Sequence, residues 1–208
     1  RLAADLLVAL AAHDALPSRY AILEVSPDLA QRQRATLARD VPAHLGRVAW
    51  ITSLPETIDG ALIANEVLDA VPVDLVARRA GRWYGRGVTW DDARGGFAWD
   101  ERPAGARSEA MAAARFPHDG DYLSEINPAA EALVEDVGRR LVGGAALWID
   151  YGFPAAEYYH PQRSEGTLMC HYRHRAHADP FAWPGLTDIT AHVDFTAMAE
   201  AAERAGLQ

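Results

Sequence analysis

The chain has 208 residues, half of them hydrophobic and about a quarter charged, and its 29 acidic and 20 basic side chains leave a net charge of −9. That length fits one domain with an elaboration, and the acidic balance argues against a nucleic-acid binder, whose affinity rests largely on phosphate contacts. No apolar run approaches the ~18 residues of a membrane span, and the single Cys170 excludes an intrachain disulfide or a Cys-rich zinc module.

A reducing, cytoplasmic setting is therefore expected. Every basic residue is arginine, which with the abundant alanine suggests a high-GC bacterial coding bias. The opening residues read as an amphipathic helix rather than a signal peptide. Leu2, Leu6, Leu7 and Leu10 set its helical spacing up to Ala12, and His13-Asp14 and then Pro17 close it.

Tyr20 to Val25 is a short apolar strand that includes Glu24. Ser26-Pro27-Asp28 then starts a helix to about Arg39: Ser26 can cap, Pro27 fits the first turn, and Asp28 suits the positive end of the dipole. Arg47 to Ile51 and Ala61 to Ala64 are further strands. Beyond Val73 the texture changes. Residues 73–80, 82–90 and 96–100 are β-prone runs separated by turn residues, which predicts an antiparallel meander.

Residues 104–120 specify little. Asn127-Pro128 opens a strong helix through Leu141 that Gly143-Gly144 should stop, and Ala145 to Asp150 is another buried strand. Residues 152–192 lack periodicity but are rich in Tyr, His, Pro and Gly, as a long functional loop would be. Asp194 to Ala205 is a last amphipathic helix. The alternation predicts an α/β doubly wound sheet with a β-rich insert. Its parts are a first core segment over 1–72, the insert over 73–125, and a second core segment over 126–208 that carries the loop.

The most informative stretch is Gly60 to Val73, where an apolar strand ends abruptly in Asn65 and Glu66, with Asp69 three residues on. Ligands bind just outside the carboxyl ends of parallel strands, and polar groups there are costly to desolvate unless something pairs with them. Glu24 and Asp150 repeat the pattern. A carboxylate at a strand end suits a ribose diol because it only accepts hydrogen bonds and can accept two. Acids at three strand ends of one parallel sheet would converge on one edge.

These residues resemble the MidA-type class I S-adenosylmethionine-dependent methyltransferases, whose eukaryotic member is a mitochondrial complex I assembly factor that methylates an arginine. The resemblance is carried by Leu-Glu-Val-Ser-Pro-Asp-Leu (23–29), Asn-Glu-Val-Leu-Asp-Ala-Val-Pro-Val (65–73), Glu125 to Pro128 and Ile-Asp-Tyr-Gly (149–152). It continues through Gly-Thr-Leu (166–168), Tyr172, His174, Asp179-Pro180 and Pro184-Gly185 to Asp-Ile-Thr-Ala-His-Val-Asp-Phe (188–195).

The resemblance implies a truncated Rossmann-like methyltransferase sheet. In the family a glycine-rich loop precedes the position of Arg1 and final strands follow Leu207. It implies S-adenosyl-L-methionine as cofactor, with Glu24, Ser26, Asn65 and Asp150 binding it. It also implies Glu66, Asp69 and Asn65 as the catalytic group, and Glu125, Tyr151, Tyr172, His174 and His192 lining the acceptor site. The implied partner is a methyl-acceptor protein, with a respiratory-complex subunit as a candidate, and a homodimer is one assembly to consider.

Two rivals have to be weighed. Cys170, His171, His174 and His177 cluster within eight residues and carry metal-ligand chemistry, but their spacing matches no common zinc pattern, so no metal is expected. The alternative function is a catalytically inactive methyltransferase-fold protein that acts as a protein-binding or assembly factor. Retention of Glu24 argues against that alternative.

Overall fold

In the computed structural model, which describes residues 1–116 and 120–208, the stretch Arg1–Glu56 forms a unit of its own and Thr57–Gln208 a second. The first unit begins with helix α1 (Leu2–Ala12), which forms where the leucine spacing places it but buries only Ala4 and Leu7, with Leu2 exposed. Strand β1 (Tyr20–Leu23) follows, then helix α2 (Pro27–Asp40), a 3-10 turn over Pro42–Arg47, and strand β2 (Val48–Ile51). β1 and β2 pair in parallel, Tyr20 opposite Val48 and Leu23 opposite Ile51. Ser26 caps α2 by accepting the amide of Leu29 at 3.3 Å, with Pro27 in the first turn. Ala4, Leu7, Leu37 and Val41 form the core of this unit, and Tyr20, Ile22 and Trp50 pack against them.

The second unit opens with strand β3 (Ile58–Asn65), longer at both ends than the apolar run that signals it. Strands β4 (Asp74–Arg79), β5 (Arg82–Asp91) and β6 (Gly96–Pro103) form the expected meander. Helix α3 (Ala106–Arg115) and strand β7 (Tyr122–Ile126) come next. β7 pairs antiparallel with β4, so the sheet runs β6-β5-β4-β7. Neither α3 nor β7 is signalled in the sequence; of the weakly specified stretch 104–120, residues 117–119 lie outside the described residues.

Helix α4 (Pro128–Arg140) passes directly into strand β8 (Leu141–Ile149), which runs parallel to β3. The expected glycine stop is therefore corrected. Gly143 and Gly144 lie inside β8, and Gly144, at φ +111, sits against the Gly60 carbonyl so closely that a Cβ would overlap it. Those glycines allow two strands to approach rather than ending a helix.

The long loop is also corrected, because 152–192 holds regular structure. Strand β9 (Gly152–Phe153) and helix α5 (Ala155–Tyr158) lead to β10 (Met169–Tyr172), β11 (Arg175–His177) and β12 (Asp188–Thr190), in the order β11-β10-β12. Strand β13 (Val193–Asp194) pairs in parallel with β9 and leads into helix α6 (Phe195–Arg204). Asp194 caps α6 through the amides of Thr196 and Ala197. Leu68, Ala130, Val134, Val193, Ala197, Met198 and Ala201 close one core, and Val76, Ala112, Phe116, Tyr122, Ile126, Tyr158 and Tyr159 another. Among the described residues no helix is long and apolar enough to cross a membrane.

Candidate functional site

β3 and β8 end together, Asn65 opposite Ile149, and the Glu66 amide donates to the Ile149 carbonyl at 2.8 Å. The chain then turns sharply, with Glu66 in the left-handed region at φ 49. Asp150 holds that turn. Its Oδ2 accepts from the amides of Val67 at 3.1 Å, Leu68 at 2.9 Å and Asp69 at 3.4 Å, while Oδ1 accepts from Tyr151 at 3.0 Å. A carboxylate can satisfy three converging amides because it only accepts. Asp150 thus orders the Asn65–Asp69 lip, and Asn65 and Glu66 project from the lip exposed.

Asp69 lies behind them, only 5% exposed. Its Oδ2 accepts a very short hydrogen bond from the Tyr151 hydroxyl, and its Oδ1 is buried without a partner among the described residues. The Asp69 bond, with lesser help from burial, pushes the Tyr151 phenol up to about 12. The Asp69 carbonyl accepts the Ala191 amide at 3.1 Å, and the Val193 amide reaches the Tyr151 carbonyl at 3.1 Å, so residues 191–193 are tied beside this lip. The half-buried His192 ring packs on Tyr151 at 5.8 Å and Phe153 at 5.1 Å. Burial, and then the Arg163 charge, lower its basicity.

Glu125 is placed otherwise than expected. It lies within β7 at 1% exposure. Its carboxylate accepts from the Thr167 amide at 2.9 Å, the Leu168 amide at 2.9 Å, and the hydroxyls of Tyr158 and Thr167 at 3.2 Å each. Gly166 touches the same carboxylate so tightly that a Cβ would collide with it. The Thr167 hydroxyl in turn accepts the His192 amide at 3.1 Å. Glu125 is thus an internal anchor for Gly-Thr-Leu (166–168) and does not project toward an acceptor. Thr167 and Tyr158 are partners of Glu125 that residue type alone did not single out, although Gly-Thr-Leu marks the place.

Tyr172 and His174 sit at the far end of the β10–β11 hairpin. Cys170 faces His177 across the pair, whereas His171 takes the opposite face and His174 the turn. Alternation along the strands therefore disperses the metal-like cluster. Among the described residues no three His, Cys, Asp or Glu side chains gather to hold a metal.

In the first unit Glu24 follows β1. Its Oε1 accepts the Ser26 amide at 2.9 Å and its Oε2 the Gln33 side-chain amide at 2.8 Å, and Gln33 is itself fixed by the Trp50 indole at 3.0 Å. Each carboxylate oxygen keeps a free lone pair in a fixed orientation. That fits a ribose diol. Ser26 spends its hydroxyl on the α2 cap.

Parallel βα segments with acids at their strand ends, interrupted by an antiparallel insert, define an α/β protein of the class I methyltransferase type. The chain belongs to the S-adenosyl-L-methionine-dependent methyltransferase family whose model matches residues 1–208. It is similar to a superfamily member from Burkholderia thailandensis, at 52% identity and TM-score 0.94 over 99% of this chain and 55% of that one. A second structure from the same organism, solved with S-adenosyl-homocysteine bound, matches at TM-score 0.93 and 52% identity, covering 99% of this chain and 53% of that one.

Curated relatives include protein arginine methyltransferase NDUFAF7 of Mus musculus, 27% identical over 88% of this chain and 44% of that one. The Homo sapiens protein of that name is 28% identical over the same shares, 88% and 44%. The chain spans about half the length of the relatives it matches.

Proposed function

We propose that the protein transfers a methyl group from S-adenosyl-L-methionine to an arginine of an acceptor protein. The observation that carries this reading is the Asn65–Asp69 lip, a polar turn held by Asp150 at the carboxyl end of a parallel strand. The family match, the relative that binds S-adenosyl-homocysteine and the names of the curated relatives support it. The cofactor, when bound, supplies an electrophilic methyl on a sulfonium.

The chain's own residues orient and exclude water, which is most of what an in-line displacement requires. Glu24 accepts from both ribose hydroxyls, and the Ser26 amide and Gln33 hold it for that task. Exposed Asn65 and Glu66 face the reactants. A guanidinium is a planar fork that a carboxylate binds bidentately, so Glu66 orients the nucleophilic nitrogen. Asp69 and Tyr151, hydrogen-bonded to each other, and His192, packed on the Tyr151 ring, wall the acceptor side.

The acceptor fits the assembly-factor setting of the family, with a respiratory-complex subunit as candidate and the bacterial cytoplasm as the compartment. The test is labelled-methyl transfer by the full chain into cell lysate, followed by identification of the modified residue. Label is expected on arginine and lost in Glu66→Gln. A Glu66→Gln variant that methylates at the wild-type rate would sink the assignment.

A further inference from the structure

Among the described residues six that are not glycine have positive φ, and three of them, Arg173, His174 and Trp183, belong to one tier at the end of the β10–β11 hairpin. Arg173 and His174 are the whole turn between Tyr172 and Arg175, at φ 50 and 63. Two-residue turns with both φ positive favour Asn-Gly, because a Cβ clashes there. Trp183, at φ 51, is a bulky side chain in the same costly region. Backbone strain of this kind persists where the side chains are needed.

The side chains form a stack. The Arg173 guanidinium lies 5.4 Å from the Tyr172 ring centre, Tyr172 stacks on Trp183 at 4.8 Å and 28°, and Trp183 meets the His177 ring edge-on at 5.8 Å. Trp183 is nonetheless 55% exposed. Arg175 lies opposite Tyr172 in register, hence on the same face.

The chain carries 29 acids against 20 arginines, and Arg79, Arg86, Arg115 and Arg204 all find carboxylates. Arg173 and Arg175 are exposed and have no ion-pair partner among the described residues. In an acid-rich chain, unpaired arginines on a strained and stacked support mark a recognition tip.

We propose that the Arg173-His174-Arg175 tip, with the exposed face of Trp183, docks an acidic segment of the acceptor protein. This rests on the acceptor being a protein. Arginine forks suit carboxylates, and the Tyr172 ring beneath Arg173 limits the freedom that side chain loses on binding. The charge of −9 disfavours a polyanion such as nucleic acid over a short acidic stretch.

The experiment uses the full chain and a fluorescein-labelled twelve-residue peptide of alternating Glu and Gly with no arginine, read by anisotropy. Wild type is expected to bind it, more weakly at 0.5 M than at 0.05 M salt. The double variant R173N/H174G builds a favourable turn, so its Tm should rise while peptide affinity falls about tenfold. R173K/R175K keeps the charge but loses the fork and the ring stacking, so it should bind several-fold more weakly than wild type, and wild-type affinity in it overturns the proposal.

Full peptide affinity in R173N/H174G overturns the proposal, as does failure of wild type to bind the peptide. Tighter binding of a single-stranded oligonucleotide of equal charge also overturns it. Because the peptide carries no methyl acceptor, these outcomes are independent of the labelled-methyl assay. A failure of docking and a failure of transferase activity are thereby told apart.

Discussion

Asp150 Oδ2 receives the Leu68 amide at 2.9 Å, joining residues 82 apart in sequence. The same oxygen takes the neighbouring amides of Val67 and Asp69. Without that carboxylate, three amides of the lip must turn to water, and the left-handed Glu66 loses its support. Asp150→Ala should destabilise the protein by about 2 kcal/mol, the scale of hydrogen bonds to a charged group. Methyl transfer should fall further than global stability explains, because Asn65 and Glu66 lose their placement. Urea unfolding set beside initial rates on folded protein checks both, and a normal rate at reduced stability would show that the lip orders itself.

Glu125 and Gly166 should behave as one unit. Glu125→Ala leaves the Thr167 and Leu168 amides and the Tyr158 hydroxyl without their acceptor in the interior. A loss of about 3 kcal/mol or more is expected from groups left unsatisfied there. Gly166→Ala drives a Cβ into the carboxylate and strains a residue at φ +81. Combined with Glu125→Ala, the added methyl enters vacated space, so the double variant should be about 1 kcal/mol more stable than the sum of the singles predicts. Strict additivity in denaturant unfolding would show that the contact is not a packing constraint.

These two anchors differ in how readable they are. Asp150 ends an apolar strand, so its place at the strand edge follows from the pattern even though its partners do not. Glu125 belongs to β7, whose Tyr-Leu-Ser-Glu-Ile is buried at every position. A strand covered on both faces has no alternation to find, and a buried carboxylate looks like a surface one until its donors arrive from 42 residues away. Gly143-Gly144 misleads for a related reason, because a helix stop and a close strand crossing demand the same residue type. The hairpin within 152–192 is hidden by its turn, since Arg-His carries none of the usual turn chemistry. The meander, by contrast, is marked by Ala80-Gly81 and the Asp91–Gly95 turn, and it forms as read.

Asp69 should control the ionisation of Tyr151. A phenol whose folded pKa stands at about 12, above the ordinary value near 10, holds its proton more tightly folded than unfolded. Its contribution to stability is therefore complete below pH ~10 and is lost as pH rises through about 12. Asp69→Asn removes the main cause. The Tyr151 fraction of the tyrosinate absorbance, identified by its loss in Tyr151→Phe, should then appear at lower pH, nearer 10. An unchanged alkaline titration in Asp69→Asn would assign the shift to burial instead.

Glu24 gives the sharpest separation of cofactor binding from folding. Its carboxylate is fixed from two sides, by the Ser26 amide at 2.9 Å and the Gln33 side chain at 2.8 Å, yet it can still accept further hydrogen bonds. Two charge-assisted bonds to a ribose diol are together worth about 3 kcal/mol, roughly a hundredfold in affinity. Glu24→Ala should weaken S-adenosyl-homocysteine binding to the full chain by about that factor in calorimetry. Ser26→Ala should instead cost about 1 kcal/mol of stability through the α2 cap, with a much smaller change in affinity. If both variants bind as wild type does, the ribose is held elsewhere, and Glu24 serves only to brace the start of α2.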